Sequence, residues 1–135
     1  MANTLYDAAR QRFLEAQINW MTDTVKVLLV DTGAYTPQTA VHQYLSDISG
    51  SARIAGPVTL TAKSTTGGAA DGADVTFTSV SGPSIEAIVI YVDTGTEATS
   101  PLIAFIDTAT GLPITPNGGD IIVTWDNGVN KIFKV

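Results

Sequence analysis

The stretch Ala87-Ile88-Val89-Ile90-Tyr91-Val92 places six apolar residues in a row, directly before the turn residues Asp93-Thr94-Gly95. A run of this length that is bounded by turn residues predicts a β-strand that is buried on both faces. Leu102–Ile106 repeats the pattern, and Val25–Val30 predicts a third strand, which ends at Asp31-Thr32-Gly33. The sequence therefore predicts a sheet whose central strands are covered on each side.

Three apolar strands end in the same dipeptide, Asp-Thr, at residues 31–32, 93–94 and 107–108. An Asp side chain in such a position can accept a hydrogen bond from the turning backbone, and the Gly at positions 33 and 95 permits a positive φ. Because the spacings between the three dipeptides are unequal, the pattern indicates reused turn chemistry and not a solenoid repeat.

Further strand and turn signals follow after residue 53. Residues 74–80 alternate apolar residues with Thr and Ser, which is typical of a strand with one buried face. Residues 121–125 and 129–135 flank Asp126-Asn127-Gly128, and Asn-Gly is a strong signal for a hairpin turn. Residues 65–72 contain almost nothing that a core could bury, so we expect a mobile surface loop there.

Two helices are predicted in the first third of the chain. Residues 1–17 form the first, because Asn3 or Thr4 can cap it and apolar residues recur at helical spacing. This apolar stripe consists of Leu5, Ala9, Phe13 and Ala16. The second, a short helix near residues 38–46, follows Thr36-Pro37, a pair typical of a helix N-cap and first turn.

The number of strands and the regular turns between them predict a mainly β protein. We expect a β-sandwich or jelly-roll-like domain that carries the N-terminal helix and the second short helix. The length of 135 residues is typical of one domain, so residues 1–135 are expected to form a single β-rich domain with its strands over residues 25–135. A chain of this length can bury about two thirds of its unfolded surface, so it needs no disulfide or metal to fold.

The composition argues against several classes of function. The formal net charge is −6, and only seven Lys and Arg residues are scattered along the chain, so we expect no nucleic-acid partner. Cysteine is absent, which removes disulfide frameworks, thiolate zinc sites and cysteine nucleophiles. The N-terminus does not have the pattern of a signal peptide, and the apolar stretches are too short to span a bilayer, so we expect no membrane partner.

Groups that could perform chemistry are sparse. His42 is the single histidine, no Ser lies in a Gly-x-Ser-x-Gly elbow, and the carboxylates are dispersed among turns. Two segments, Asp71-Gly72-Ala73-Asp74 and Asn117-Gly118-Gly119-Asp120, place oxygen ligands beside glycine as calcium sites do. Neither segment matches the EF-hand pattern, and both are typical of ordinary turns. We therefore expect no enzyme activity, no cofactor and no metal.

A set of segments carries a resemblance that runs from end to end of the chain. In order, they are Thr4-Leu5-Tyr6-Asp7, Arg12-Phe13-Leu14, Ile18-Asn19-Trp20, Thr22-Asp23-Thr24-Val25-Lys26-Val27, Tyr44-Leu45-Ser46-Asp47-Ile48, Glu86-Ala87-Ile88-Val89-Ile90-Tyr91, the run from Leu102 to Pro113, Thr115-Pro116-Asn117-Gly118-Gly119-Asp120, and Trp125-Asp126-Asn127-Gly128. Together they resemble a family of small structural proteins of tailed-bacteriophage virions.

The resemblance implies a location and partners. Cement, or decoration, proteins of phages often resemble jelly rolls and sit as dimers or trimers on the outer capsid lattice, where they bridge capsomers. This implies binding to the major capsid protein, self-association as a dimer or trimer, synthesis in the host bacterial cytoplasm and a final place on the outer capsid surface. A tail, neck or fibre-associated virion protein is the alternative within the family. The matching segments are strand cores and turns, so no functional residue carries over.

The aromatic residues near the N-terminus supply candidate interface positions, because aromatic residues are enriched in interface cores. We expect contacts at Tyr6, Phe13 and Leu14 of the first helix, and at Tyr35 and Tyr44 of the segment that follows β-strand residues 25–30. Internal packing would explain each of these residues equally well.

Two alternatives belong to other classes of protein. A carbohydrate-binding module for attachment to a host would need exposed aromatics or carboxylates on a sheet face or at loop tips, for which Tyr35, Tyr91 and Trp125 are the only obvious sources. A glycan hydrolase would need a pair of carboxylates set close in space, which a sequence alone does not reveal.

Overall fold

The computed structural model describes residues 4–107, 112–125 and 131–134. These residues are mainly β, as predicted, with one α-helix near the N-terminus and several short 3-10 helices. The strands are β1 (Thr4–Leu5), β2 (Val25–Val30), β3 (Arg53–Thr59), β4 (Ser64–Thr66), β5 (Ala69–Asp71), β6 (Val75–Phe77), β7 (Ala87–Val92), β8 (Leu102–Ile106), β9 (Ile121–Val123) and β10 (Phe133–Lys134), and the helix is α1 (Asp7–Leu14).

The main sheet has five antiparallel strands in the order β1-β8-β7-β2-β3. Every residue of β7 and β8 is buried, and in β2 only Lys26 is partly exposed. The prediction that β7 and β8 are central and covered on both faces is confirmed, and the predicted strand at Val25–Val30 lies beside them as β2. The continuous apolar runs of β7 and β8 leave neither face for water, which explains their clear signal in the sequence.

The strand register divides the main sheet into two faces. Leu28, Val89 and Phe105 lie side by side on one face, which we call the loop face. The segment between β2 and β3 covers part of it, with the Tyr35 ring 6.4 Å from the ring of Phe105, centroid to centroid. Val27 and Ile90 lie on the opposite face.

Two smaller sheets complete the fold, one with the order β10-β5-β4 and one that pairs β6 with β9. A single hydrophobic cluster joins them to the main sheet: it includes Val27 and Ile90 of the main sheet, Ala70 of β5, and Phe77 and Val123 of β6 and β9. This shared core gives the layered arrangement of a sandwich.

The N-terminal helix is shorter than the predicted 1–17, of which residues 1–3 lie outside the described part. Thr4 and Leu5 form β1 and pair with Phe105 and Ala104 at the edge of the main sheet. The Tyr6 N–H donates to the carbonyl of Ile103 at 3.0 Å, and the helix begins only at the next residue. Pairing at this edge satisfies backbone groups of β8 that would otherwise be open, which explains why the strand is preferred to another helical turn.

The second helix also differs from the prediction near residues 38–46. It is a single 3-10 turn, Leu45–Asp47, and the residues before it form irregular turns. The carbonyl of Gln43 accepts a hydrogen bond from the N–H of Leu102 at 2.9 Å, so this backbone pairs with the start of β8. The Asp47 carboxylate accepts from the N–H groups of Gln43 and Tyr44, at 2.8 and 3.1 Å, which favours an extended entry to the turn.

The mobile loop predicted for residues 65–72 is instead largely a β-hairpin. Thr65 of β4 faces Ala70 of β5, and Ala69 and Ala70 are buried. Gly67 and Gly68 connect the strands with φ values of 58° and 84°. Positive φ at both central residues is the requirement of the type I′ hairpin turn, which Gly-Gly meets without steric cost.

The turn predicted at Asp126-Asn127-Gly128 lies outside the described residues. The described parts of its flanking strands pair elsewhere, β9 with β6 and β10 with β5. The Asp-Thr turns are confirmed at two of three positions: Asp31 Oδ1 accepts from the Gly33 N–H at 2.8 Å, and Asp93 Oδ1 accepts from the Gly95 N–H at 2.9 Å. The third, at residues 107–108, extends beyond the described part.

Candidate interaction surface

An apolar groove of about 390 Å³ lies beside the C-terminal end of α1. Ala70 and Phe133, which face each other across β5 and β10, line it together with Phe13 of α1 and Trp20 of the following loop. The groove is therefore formed where the helix, the loop and the three-stranded sheet meet. We call it the helix-end groove.

Packed aromatic rings hold the helix-end groove in shape. The Trp20 and Phe133 rings meet edge to face with centroids 5.2 Å apart, and Phe13 lies 6.2 Å from Phe133. The Trp20 Nε1–H donates to the carbonyl of Asp71 at 3.1 Å, which fixes the indole in one orientation. Because its rings are in favourable contacts already, the groove is preformed and needs no rearrangement to accept an apolar side chain.

Two large apolar side chains that are exposed to solvent belong to the same part of the sequence as the groove residues Phe13 and Trp20. Leu14, the last residue of α1, is 86% exposed, and Met21, which lines the groove, is 51% exposed. A single exposed leucine is common in proteins and requires no explanation. Leu14 directly follows Phe13, which lines the helix-end groove, and exposed apolar side chains together with an apolar groove are typical of a surface that binds another protein.

The five predicted interface residues differ in exposure and divide into three groups. Tyr6 and Tyr35 are buried, so internal packing explains them and they present almost no surface to a partner. Tyr44 is half-buried, with the guanidinium of Arg12 4.8 Å above its ring centroid. Phe13 lines the helix-end groove, and Leu14, the next residue in the chain, is exposed at the end of α1.

The buried tyrosines form a hydrogen-bonded chain that ends at the single histidine. The hydroxyls of Tyr6 and Tyr35 are 2.7 Å apart, and the Tyr35 hydroxyl lies 3.0 Å from His42 Nδ1. The Gln38 N–H also points at Nδ1, at 3.3 Å, so this nitrogen acts as an acceptor and Tyr35 donates to it. Burial raises the pKa of both phenols, which keeps them protonated as this chain requires. The arrangement ties the segment after β2 to the start of α1.

The aromatics that the carbohydrate-binding alternative required are not on the surface. Tyr35, Tyr91 and Trp125 are all buried. The Trp125 Nε1–H donates to the carbonyl of Ala73 at 2.9 Å, which holds the indole against the core. None of the three therefore offers a ring face on which a sugar could stack.

In the two calcium candidates, side-chain oxygens accept hydrogen bonds from backbone N–H groups. Asp74 Oδ1 accepts from the Trp125 N–H at 3.0 Å, and Asp120 Oδ1 accepts from the Ser79 N–H at 3.0 Å. Asn117 Oδ1 accepts from the Gly119 N–H at 2.9 Å. Within the residues that the structure describes, no three His, Asp or Glu side chains gather in a group that could hold a metal ion.

Two ion pairs lie at the loop face of the main sheet. Lys26 Nζ of β2 is 2.8 Å from Asp93 Oδ2, and Arg53 Nη2 of β3 is 2.9 Å from Glu97 Oε1. The hydrogen bond from Lys26, supported by that from the Gly95 N–H, holds the pKa of Asp93 below its usual range. The stabilisation by this carboxylate is therefore complete above the unfolded-state pKa of about 3.9, and it is lost as the pH falls through the lower folded-state pKa.

We expect Lys26→Met to lower the free energy of unfolding by about 0.5 kcal/mol at pH 7, because the pair is partly exposed and Met retains most of the aliphatic packing. The difference from the wild type should shrink as the pH falls below about 3.9, since protonated Asp93 no longer needs its partner. Urea unfolding of both proteins at pH 7 and in acid measures this. A difference that stays constant across the pH range would contradict the assignment to the ion pair.

Among the described residues, no helix has the length and apolar character needed to cross a membrane. No protein-family model matches the chain, and no curated protein matches it.

Proposed function

We propose that this chain is a structural protein of a tailed-bacteriophage virion, and that it acts as a cement protein on the outer capsid lattice. The family resemblance of the sequence supports the virion role. The observation that carries a binding role is the apolar helix-end groove, together with the exposed Leu14 at the end of the helix that contributes Phe13 to it. Under this proposal the partner is the major capsid protein, and the protein has no catalytic activity and uses no cofactor.

The physical requirements of a cement protein are modest and match the features described above. Such a protein must present a rigid surface and repeat the same contact by symmetry, so that many weak contacts act together. A preformed aromatic groove loses little entropy on binding. We propose that the groove accepts an apolar side chain of the capsid protein while Leu14 fills a depression on the capsid surface, and that copies of the chain associate as dimers or trimers around the capsomers.

Electron cryomicroscopy of the parent virion tests the location directly. We expect density for the 135-residue chain at regular positions on the outer shell, with the end of α1 facing the capsid protein. Density confined to the tail, neck or fibres would overturn the cement role and would support the alternative virion location.

A substitution at the protruding leucine tests the surface. We expect Leu14→Asp to weaken binding to capsids that lack this protein by at least about 30-fold, because a central apolar anchor typically contributes about 2 kcal/mol or more. Co-sedimentation with such capsids at several protein concentrations measures the change. Leu14 is 86% exposed, so the thermal unfolding midpoint should not change.

Val41→Asp is the matched control for this substitution. Val41 is 64% exposed, belongs to the turn after Gln38 and does not line the helix-end groove. We expect this variant to bind capsids like the wild type. Equal losses for the two variants, or no loss for either, would show that Leu14 is not the contact.

A further inference from the structure

A second cavity, of about 350 Å³, lies on the loop face of the main sheet. None of its lining residues also lines the helix-end groove. The loop of residues 93–100, which follows β7, forms one wall of it, and β2 and β3 contribute Lys26 and Arg53. Its volume is at the lower end of the range for small-molecule sites, which begins at about 300 Å³. We call it the loop cavity.

The wall formed by residues 93–100 is cross-linked by its own side chains. The hydroxyls of Thr94 and Thr99 are 2.7 Å apart, and the buried Ser100 donates to the carbonyl of Thr96 at 2.8 Å. The Thr94 N–H in turn donates to the Ser100 hydroxyl at 3.1 Å. Ordering a flexible polar loop on binding would cost conformational entropy. Here the loop's own hydrogen bonds already order it without a ligand.

Four charged groups line the loop cavity, and they neutralise one another. Lys26 pairs with Asp93, and Arg53 pairs with Glu97. Arg53 Nη2 also donates to the carbonyls of Leu45 and Ile48, at 2.8 and 2.7 Å, so this side chain is held in place from several sides. A ligand with net charge finds no unpaired counter-charge here and would have to break a pair to obtain one. A neutral polar ligand can form hydrogen bonds with both members of each ion pair without breaking the pair.

The hydrogen-bonding groups of the loop cavity alternate between donors and acceptors. The ammonium of Lys26 and the guanidinium of Arg53 only donate, whereas the carboxylates of Asp93 and Glu97 beside them only accept. Adjacent hydroxyls of a sugar, each of which both donates and accepts, match a donor and an acceptor that lie side by side. Apolar surface from Pro57 and other residues lines the same cavity and could contact the C–H groups of a sugar ring.

Tyr91 adds a donor that the protein itself does not use. Its side chain is 2% exposed and lines the loop cavity, and its hydroxyl has no hydrogen-bond partner among the described residues. Burial, together with the charge of Asp93, raises the pKa of Tyr91 to about 12, so the hydroxyl keeps its proton. The hydroxyl can therefore donate a hydrogen bond to a ligand in the cavity.

We propose that the loop cavity binds one neutral sugar residue, held between the Lys26–Asp93 and Arg53–Glu97 pairs and hydrogen-bonded to the Tyr91 hydroxyl. This site would recognise the sugar by hydrogen bonds within a cavity and not by stacking on the rings of Tyr35, Tyr91 and Trp125, which are buried. The site is separate from the helix-end groove, so the sugar-binding proposal can be tested independently of the capsid role.

Titration of the ¹⁵N-labelled protein with glucose, galactose, mannose and N-acetylglucosamine, each alone, tests the proposal. We expect at least one of these neutral sugars to cause saturable shifts of the backbone N–H signals of Lys26, Tyr91 and residues 93–100, with no shift for Phe13 and Trp20. Sialic acid serves as the anionic probe and should bind more weakly. The proposal is overturned by the absence of saturable shifts with all four neutral sugars, or by tighter binding of sialic acid.

Two variants assign the binding to the cavity. Tyr91→Phe removes a hydroxyl that has no protein partner, so the fold should be unaffected while the sugar dissociation constant rises about fivefold. Glu97→Gln should raise the sugar dissociation constant about tenfold, because a charged hydrogen-bond acceptor is lost. Glu15→Gln, at an exposed carboxylate of the segment after α1, is the control and should bind like the wild type. Unchanged dissociation constants in both cavity variants would place the sugar elsewhere and refute the proposed site.

Discussion

Gly56→Ala is expected to lower the free energy of unfolding by about 3 kcal/mol, because backbone strain and a steric clash act at the same position. Gly56 lies in β3 with a φ of +96°, a conformation that residues with a side chain rarely adopt. A Cβ atom there would lie 2.8 Å from the carbonyl oxygen of Val27 and 3.0 Å from Cε1 of Phe77. The carbonyl belongs to the neighbouring strand β2, so relief of the clash would disturb the pairing of β2 with β3.

Gly95→Ala separates the two causes. Gly95 has a φ of +89°, close to that of Gly56, but no atom lies within 4 Å of its Cβ position. We therefore expect Gly95→Ala to lower the free energy of unfolding by about 1 kcal/mol, from backbone strain alone. Urea unfolding of both variants at pH 7, followed by circular dichroism, measures the difference. If the two substitutions cost the same, the close approach of β2 and Phe77 to Gly56 does not contribute, and the packing described for β3 is contradicted.

The central strands could be predicted from the sequence because each of them carries its own signal. In Val25–Val30, Ala87–Val92 and Leu102–Ile106, nearly every side chain is apolar, and a strand covered on both faces is the simplest structure that buries all of them. The Asp-Thr-Gly turns were predictable for the same reason. The hydrogen bond from Gly33 to Asp31 joins residues that are neighbours in the sequence.

The N-terminal segment could be predicted from the sequence only in part. Leu5, Ala9 and Phe13 recur at helical spacing, and this pattern correctly indicates α1. It does not show that Thr4 and Leu5 complete the edge of the main sheet, because their partners in β8 come from the other end of the chain. A pattern within one segment reports which face is apolar, but not whether a distant strand offers unpaired backbone groups.

The β4–β5 hairpin was missed although the sequence carries a signal for it. Gly67-Gly68 is a favoured pair for a two-residue hairpin turn, and Ser64–Thr66 before it contains two β-branched threonines. The low apolar content of the segment suggested a loop, but the alanines at 69 and 70 are small enough to be buried against Trp20 and Phe133 at the helix-end groove. Small residues can be core residues where the space available is shallow.

The helix-end groove could be predicted only in part. Phe13 and Leu14 were identified as interface candidates from the helical segment, but the groove also requires Trp20 and Phe133, which are far apart in the chain and meet only after folding. For Tyr6 and Tyr35 the sequence leaves interface contact and internal packing open. The structure buries both, with a hydrogen bond between their hydroxyls that joins residues 29 positions apart in the chain.

Phe105→Ala is expected to lower the free energy of unfolding by about 4 kcal/mol, the largest effect of a single side-chain truncation that we predict. Phe105 is buried in β8 on the loop face, with Val89 of β7 on one side and Thr4 of β1 on the other. Its ring also supports the Tyr35 ring, at 6.4 Å between centroids. Removal of the ring leaves a cavity between strands that cannot close without breaking their backbone pairing, so the full cost of the cavity remains.

Ile122→Ala is the control, since Ile122 also lies in a strand but is 64% exposed, and its loss should change the free energy of unfolding by less than about 0.5 kcal/mol. Urea unfolding at pH 7 compares the two variants. A cost below about 2 kcal/mol for Phe105→Ala would contradict a closely packed loop face. The same experiment reports on the segment after β2: because Tyr35 rests on Phe105 and bonds to Tyr6, amide hydrogen exchange of residues 35–44 should accelerate in Phe105→Ala and stay unchanged in Ile122→Ala.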